Sequence, residues 1–271
     1  MRSSSSQVIF DAHVHLYPCY DLTRALDGLL FRLKQWANRG TPNTRYMAVV
    51  AERAGNPTLK ELITGPLAKS GGNWTVTAEA QGEVWTCRQA AGASLSLIVG
   101  RQFATREKME VLAIGSQFEN LDGLPIRQII QILCTAGQVP ILPWSPGKWL
   151  FGRGQIVREL IEEMGPGLAL CDTAIRPRGI PSPSLFCRAR QLNCRVLAGS
   201  DPLPLPGEEK GLGSYAVGLP DADPEGEPLT ILRDVLKNPA IPVNILGCRN
   251  SAFQALARLV RYHVHPASIR S

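Results

Sequence analysis

No stretch of this sequence approaches the run of about 20 apolar residues that a helix needs to cross a bilayer, so a membrane-spanning helix is excluded. Residues 1–6 run straight into a β-forming segment without an apolar core, so no secretory signal is expected and a cytoplasmic chain is the reading. Lys and Arg outnumber Asp and Glu, 29 to 23. The excess is scattered, however, and no dense basic run exists to make a nucleic-acid patch. An anionic small-molecule substrate is compatible with that charge. The seven cysteines are dispersed and include no C-x-x-C pair. They read as reduced thiols, neither a metal knuckle nor a nucleophile. No glycine-rich phosphate loop follows the first apolar segment, which counts against a nucleotide fold. No internal repeat and no linker divides the 271 residues, so 1–271 is expected to form one domain. Histidine is also scarce. There are four, and two of them are His13 and His15.

Those two lie in Phe10-Asp11-Ala12-His13-Val14-His15-Leu16. Alternate residues of a strand share a face, so Asp11, His13 and His15 are expected together on one side. Phe10, Ala12, Val14 and Leu16 would then pack beneath helices. Ionisable groups on a buried face need compensation, and a divalent ion bound by two neutral imidazoles supplies it. Two partly exposed histidines that only hydrogen-bond are the alternative.

Further along, periodicity predicts helices over 21–36, 58–67, 126–136, 153–164, 182–192, 229–237 and 251–262. Strands are predicted over 46–51, 94–102, 110–115, 139–144, 168–172, 195–199 and 243–246, and a hairpin over 74–88 around a Gln81-Gly82 turn. Gly71-Gly72 reads as a turn. Residues 201–220, rich in Gly and Pro, read as a long loop or lid, and 221–228 as an acidic solvated turn. Strands alternating with helices predict a parallel sheet covered on both faces. The fold class expected is α/β, a distorted TIM-like (β/α)7–8 barrel with an inserted β-hairpin. His13, His15, Glu52, Gln102, Lys148, Asp172 and Asp201 all fall at or just past strand C-terminal ends, where such barrels build active sites.

The opening Asp-x-His-x-His strand resembles those of metal-dependent hydrolases with distorted TIM barrels, the amidohydrolase superfamily and the PHP (polymerase and histidinol phosphatase) family. Gly100-Arg101-Gln102 followed by Glu110-Val111-Leu112 is similar to the PHP stretch Gly-x-Glu followed by His-x-Leu. Gly199-Ser200-Asp201 is similar to the late-strand Gly-Ser-Asp of both groups, and 247–252 to their Gly-Asn-Ala entry to the last helix. The chain departs from the pattern at Gln102 and Glu110, and the histidine that usually follows the late Asp is replaced by Pro202-Leu203. The strand-end histidines of amidohydrolases are missing at Pro143-Trp144 and Cys171-Asp172.

The resemblance implies one or two divalent ions, Zn, Mn or Fe, held by His13, His15, Glu110 and Asp201, with Asp172 or Glu52 in reserve. It implies hydrolysis of a small ester or phosphoester, with Asp201 as general base. Lys148, Arg176, Arg178 and Gln102 would contact an anionic substrate. Each has a plainer reading: Asp201 as a loop cap, Glu110 as an exposed strand end, Lys148 as a solvated lysine, Arg176 and Arg178 as surface arginines. His263 and His265, after the last helix, are expected on the surface at the end opposite the site. Two other functions stay open: a degenerate barrel that binds a ligand or protein partner, and an amidohydrolase-type C–N hydrolase. A homo-oligomer is compatible with any of them.

Overall fold

In the computed structural model, residues 6–38, 41, 43–68, 74–115, 117–179 and 183–264 are described. The predicted turn at Gly71-Gly72 and His265 lie outside them. The chain opens with β1 (Ser6–Val14), α1 (Leu22–Gln35) and β2 (Asn43–Arg53), as the patterns predict. A short α2 (Leu59–Leu62) continues as a π-helical turn (Ile63–Leu67) that accommodates Pro66. The hairpin β3 (Trp74–Glu79) and β4 (Val84–Gln89) follows, then β5 (Ser94–Ala104) and β6 (Glu110–Ile114). Next come α3 (Ile126–Thr135), β7 (Ile141–Pro143), α4 (Gly152–Met164), β8 (Ala169–Thr173), α5 (Ser184–Gln191) and β9 (Arg195–Gly199). The last part holds β10 (Tyr215–Pro220), α6 (Pro228–Lys237), β11 (Asn244–Gly247) and α7 (Ala252–Val264).

All eleven strands belong to one sheet, ordered β11-β10-β1-β2-β5-β6-β7-β8-β9, with the β3–β4 hairpin attached to β5. The sheet curls into a nearly closed, distorted α/β barrel. It closes without a strand ladder: beyond β9 the Asp201 N–H donates to the His13 carbonyl at 2.9 Å, and the Ser200 N–H to Asp11 Oδ1 at 2.9 Å. Gly199 permits this approach, because a Cβ there would lie 2.5 Å from His13 Cβ.

Two expectations are corrected here. The sheet is mixed, not parallel: β10 runs antiparallel to β1 and β11, and β5, β6 and β7 are antiparallel neighbours. The supposed loop over 201–220 also contains β10. Its backbone pairs with β1, while the glycines and prolines that hide it are concentrated in the turns before it.

Val8, Phe10 and Ala12 pack inside the barrel with Met47, Val49, Ile98 and Leu197, and Leu229, Leu232, Val235 and Leu236 of α6 join them. Arg195, at the start of β9, donates to the Val235 and Asn238 carbonyls, so α6 closes the end where strands begin. Ile9, Val14 and Leu16 pack outside, under α1. A register irregularity between Asp11 and Val14 breaks the two-residue alternation. Phe10 and Val14 therefore lie on different faces, against the simple expectation.

Candidate metal centre and adjoining cavity

The same irregularity separates Asp11 from the histidines. Its fully buried carboxylate accepts from the backbone N–H groups of His13 (3.1 Å), Ser200 (2.9 Å) and Gly213 (3.0 Å). Burial lifts its pKa to about 6, against the downward pull of these donors. Asp11 is thus a clamp between β1 and the chain after β9.

His13 and His15 are buried at the strand's C-terminal end, and their Nε2 atoms lie 3.0 Å apart. Asp201 Oδ1 is 3.8 Å from His13 Nε2 and 3.7 Å from His15 Nε2. Among the described residues these three form one group whose potential ligand atoms all lie within 4.8 Å of one another. Separations of this size suit donors around one ion at about 2.0–2.2 Å. His15 Nδ1 sits 2.7 Å from the Ala51 carbonyl, which can only accept. Nδ1 therefore carries the proton, and Nε2 keeps a lone pair toward the group. Burial, then His13 and Arg53, hold the His15 pKa well below its ordinary value, so the ring is neutral. His13 fits less fully, since its Nδ1 is buried without a partner.

Asp201 has φ of +44°, a left-handed conformation that Asp tolerates better than most residues. Its N–H is held by His13, and its carbonyl accepts from Arg258 Nη2 at 3.3 Å. Arg258 is anchored in turn on Glu208 at 2.6–2.7 Å. Burial raises the Asp201 pKa, and Glu110 adds to the rise while His13, Arg258 and Lys148 oppose it.

His15 and Asp201 line a cavity of about 330 Å³ together with Tyr17, Arg53, Gln102, Glu110, Ser145 and Lys148. From α7, Leu259, Tyr262 and His263 complete its wall. His263 is surface-exposed as expected, but it lies at the site and not at the opposite end: α7 folds back over the barrel mouth. A larger open groove of about 780 Å³ beside α1 holds Asp27, Phe31, Arg32 and Lys34 and none of the three candidate ligands.

Three carboxylates expected as ligands lie outside the group of three, although Glu110 lines the same cavity. Glu110 is paired with Lys148 Nζ at 2.6 Å and accepts from Ser145 Oγ at 2.9 Å. Burial pulls its pKa upward, but Lys148, Arg53 and Ser145 outweigh that and hold it below the usual value. Asp172 is gripped by both arms of the Arg176 guanidinium (2.7 and 2.5 Å) and accepts from Tyr215 Oη at 2.9 Å. Glu52 accepts the Leu59 N–H at 2.7 Å at the start of α2 and lies 3.6 Å from Arg101.

Of the expected substrate contacts, Lys148 and Gln102 reach the cavity. Arg176 is committed to Asp172. Arg178 does not line the cavity; its N–H donates to Asn250 O, and its Nη1 lies 3.8 Å from Cys248 Sγ. Sequence reasoning missed Tyr17 and Arg53. The signal was present, because Tyr17 continues the His13, His15 alternation and Arg53 ends the same strand as Glu52. Tyr17 and Arg53 share a hydrogen bond that helps to keep the guanidinium charged, although burial opposes it.

No family model matches the chain, and no curated protein matches it. Among solved structures, it is similar to PsfC from Pseudomonas syringae PB-5123, with 14% identity and a TM-score of 0.55. The similarity covers 97% of this chain and 99% of that one. At this identity the likeness extends to the fold alone. No described helix is long and apolar enough to cross a membrane.

Proposed function

We propose that the chain is a metal-dependent hydrolase of a small anionic ester, with phosphoesters the first class to test. The observation that carries this reading is the convergence of His13 Nε2, His15 Nε2 and Asp201 Oδ1 at the edge of a cavity that His15 and Asp201 line together with Arg53 and Lys148. The Asp-x-His-x-His and Gly-Ser-Asp resemblance to metal-dependent hydrolases supports it. His13, His15 and Asp201 would hold one Zn²⁺, Mn²⁺ or Fe²⁺ ion. When bound, such an ion acts as a Lewis acid and brings the pKa of a water toward neutrality.

The protein's own groups supply the rest. Asp201, whose pKa burial raises, takes the proton released by the attacking water at its carboxylate. Arg53 and Lys148 hold the substrate's negative charge, and Tyr17 and Glu110 keep those two cations in place. The residues that roof the cavity, Leu259 and Tyr262, restrict water around the reacting bond. At about 330 Å³ the cavity suits a small molecule and not a polymer.

The test is elemental analysis of protein purified without a tag or chelator, beside a His13→Ala/His15→Ala variant, followed by a phosphoester and carboxylester panel. About one equivalent of metal, lost in the variant, together with metal-dependent turnover is expected. No metal after reconstitution overturns the reading. It would favour a barrel that binds a ligand without chemistry, which the partnerless His13 Nδ1 and the 3.0 Å His13–His15 contact also suit.

A further inference from the structure

Helix α7 is amphipathic in the wrong sense for a surface helix. Several of its polar residues reach back to the barrel. Arg258 bonds Glu208 and the Asp201 carbonyl, Arg261 donates to the Pro206 carbonyl, and Tyr262 lines the cavity. Four of its five large aliphatic or phenyl residues point out: Phe253 is 80% exposed, Leu256 61%, Val260 52% and Val264 76%, while Leu259 faces the cavity. At 3.6 residues per turn these four fall within an arc of about 80°, a single stripe along the helix. Together they leave on the order of 500 Å² of contiguous apolar surface, at the upper end of what a monomer normally shows.

We infer that this stripe is the contact surface for a second copy of the chain, paired across a two-fold axis as two antiparallel α7 helices. The spacing is nearly self-complementary about Arg258 and Leu259: reversed, Phe253 meets Val264 and Leu256 meets Val260 to within one residue of register, a large residue opposite a smaller one in both cases. A closed two-fold dimer requires this property of a patch, since one surface must fit itself. The area agrees as well. A standard interface buries about 800 Å² per partner, about 65% of it apolar in homodimers, which is roughly the area of the stripe. Arg258 and Arg261 both lie against Glu208 of their own barrel, which offsets their charge beside the stripe. The pairing would also brace the helix that roofs the candidate cavity. The inference rests on the geometry of α7 alone and stands whether or not the barrel holds a metal.

Sedimentation velocity of the full chain over about 1–100 µM tests it, beside Leu256→Asp/Val260→Asp and the milder Phe253→Ser/Val264→Ser. Wild type is expected at twice its 29.5 kDa chain mass. Both variants are expected to weaken association at least about 100-fold while keeping the wild-type circular dichroism spectrum. A wild type that stays monomeric at the highest concentration overturns the proposal, whether a heterologous partner or the chain's own residues after Val264 cover the stripe instead. So does a folded Leu256→Asp/Val260→Asp variant that remains a dimer.

Discussion

His15 and Gly199 illustrate how individual residues carry the site. The His15 ring is fixed by the Ala51 carbonyl, so its Nε2 lone pair is oriented before any ligand arrives. His15→Asn is expected to abolish metal retention while leaving the melting temperature of metal-free protein within a few degrees, measured by elemental analysis and calorimetry. Gly199→Ala acts differently. It places a methyl group against the His13 Cβ and is expected to cost about 1–3 kcal/mol in denaturant unfolding by overpacking. Metal affinity should fall with it, since His13 must move. Asp11 gives a pH signature. A carboxyl whose folded pKa is raised makes its full contribution below the unfolded value of 3.8 and loses it as pH rises through about 6. The gap corresponds to about 3 kcal/mol. The stability of wild type relative to Asp11→Asn should therefore increase by about that amount from pH 7 to pH 4, read from urea midpoints at each pH.

The elements were mostly legible in the sequence, and the exceptions share a physical origin. Apolar runs such as Val196-Leu197-Ala198 and the helical spacing of Leu22, Leu26, Leu29, Leu30 and Leu33 announce themselves locally. The β10 strand does not, because Gly218 and Pro220 weaken its strand pattern and its pairing with β1 is determined some two hundred residues away. For the same reason the antiparallel neighbours of β10, β5 and β6 were invisible, unlike the β3–β4 hairpin with its short turn, since local periodicity carries no strand direction. The candidate site was half legible. His13, His15 and Asp201 stood out by type and spacing, whereas the fates of Glu110, Asp172 and Glu52 depend on Lys148, Arg176 and the Leu59 N–H, partners that only the fold selects. At this scale α6 offers a clean test. Glu227 caps it, accepting from the Leu229 and Thr230 N–H groups at 3.0 and 2.7 Å. Glu227→Ala should cost about 1 kcal/mol of stability and leave metal content unchanged, because α6 closes the far end of the barrel.

For the molecule as a whole, metal binding and stability are linked. An ion that binds only the folded barrel stabilises it by about 2.7 kcal/mol at a free concentration of about 100 times its Kd. Titration with Zn²⁺ or Mn²⁺ should raise the melting temperature of wild type and leave His13→Ala/His15→Ala unmoved, as read by calorimetry.

The clamp formed by Asp11 also bears on how the protein is made. Its carboxylate joins β1 to Ser200 and Gly213, partners 189 and 202 residues later in the chain. While the polypeptide emerges from the ribosome, the strand that holds His13 and leads into His15 is present from the start with its polar groups unmatched. It waits for most of the chain to be synthesised before Asp201 arrives and the barrel closes. Closure over so long a separation is entropically slow. A nascent or truncated chain that ends before Ser200 therefore exposes an open strand edge at β1, and it has to be sheltered from aggregation for as long as translation of the remaining barrel takes.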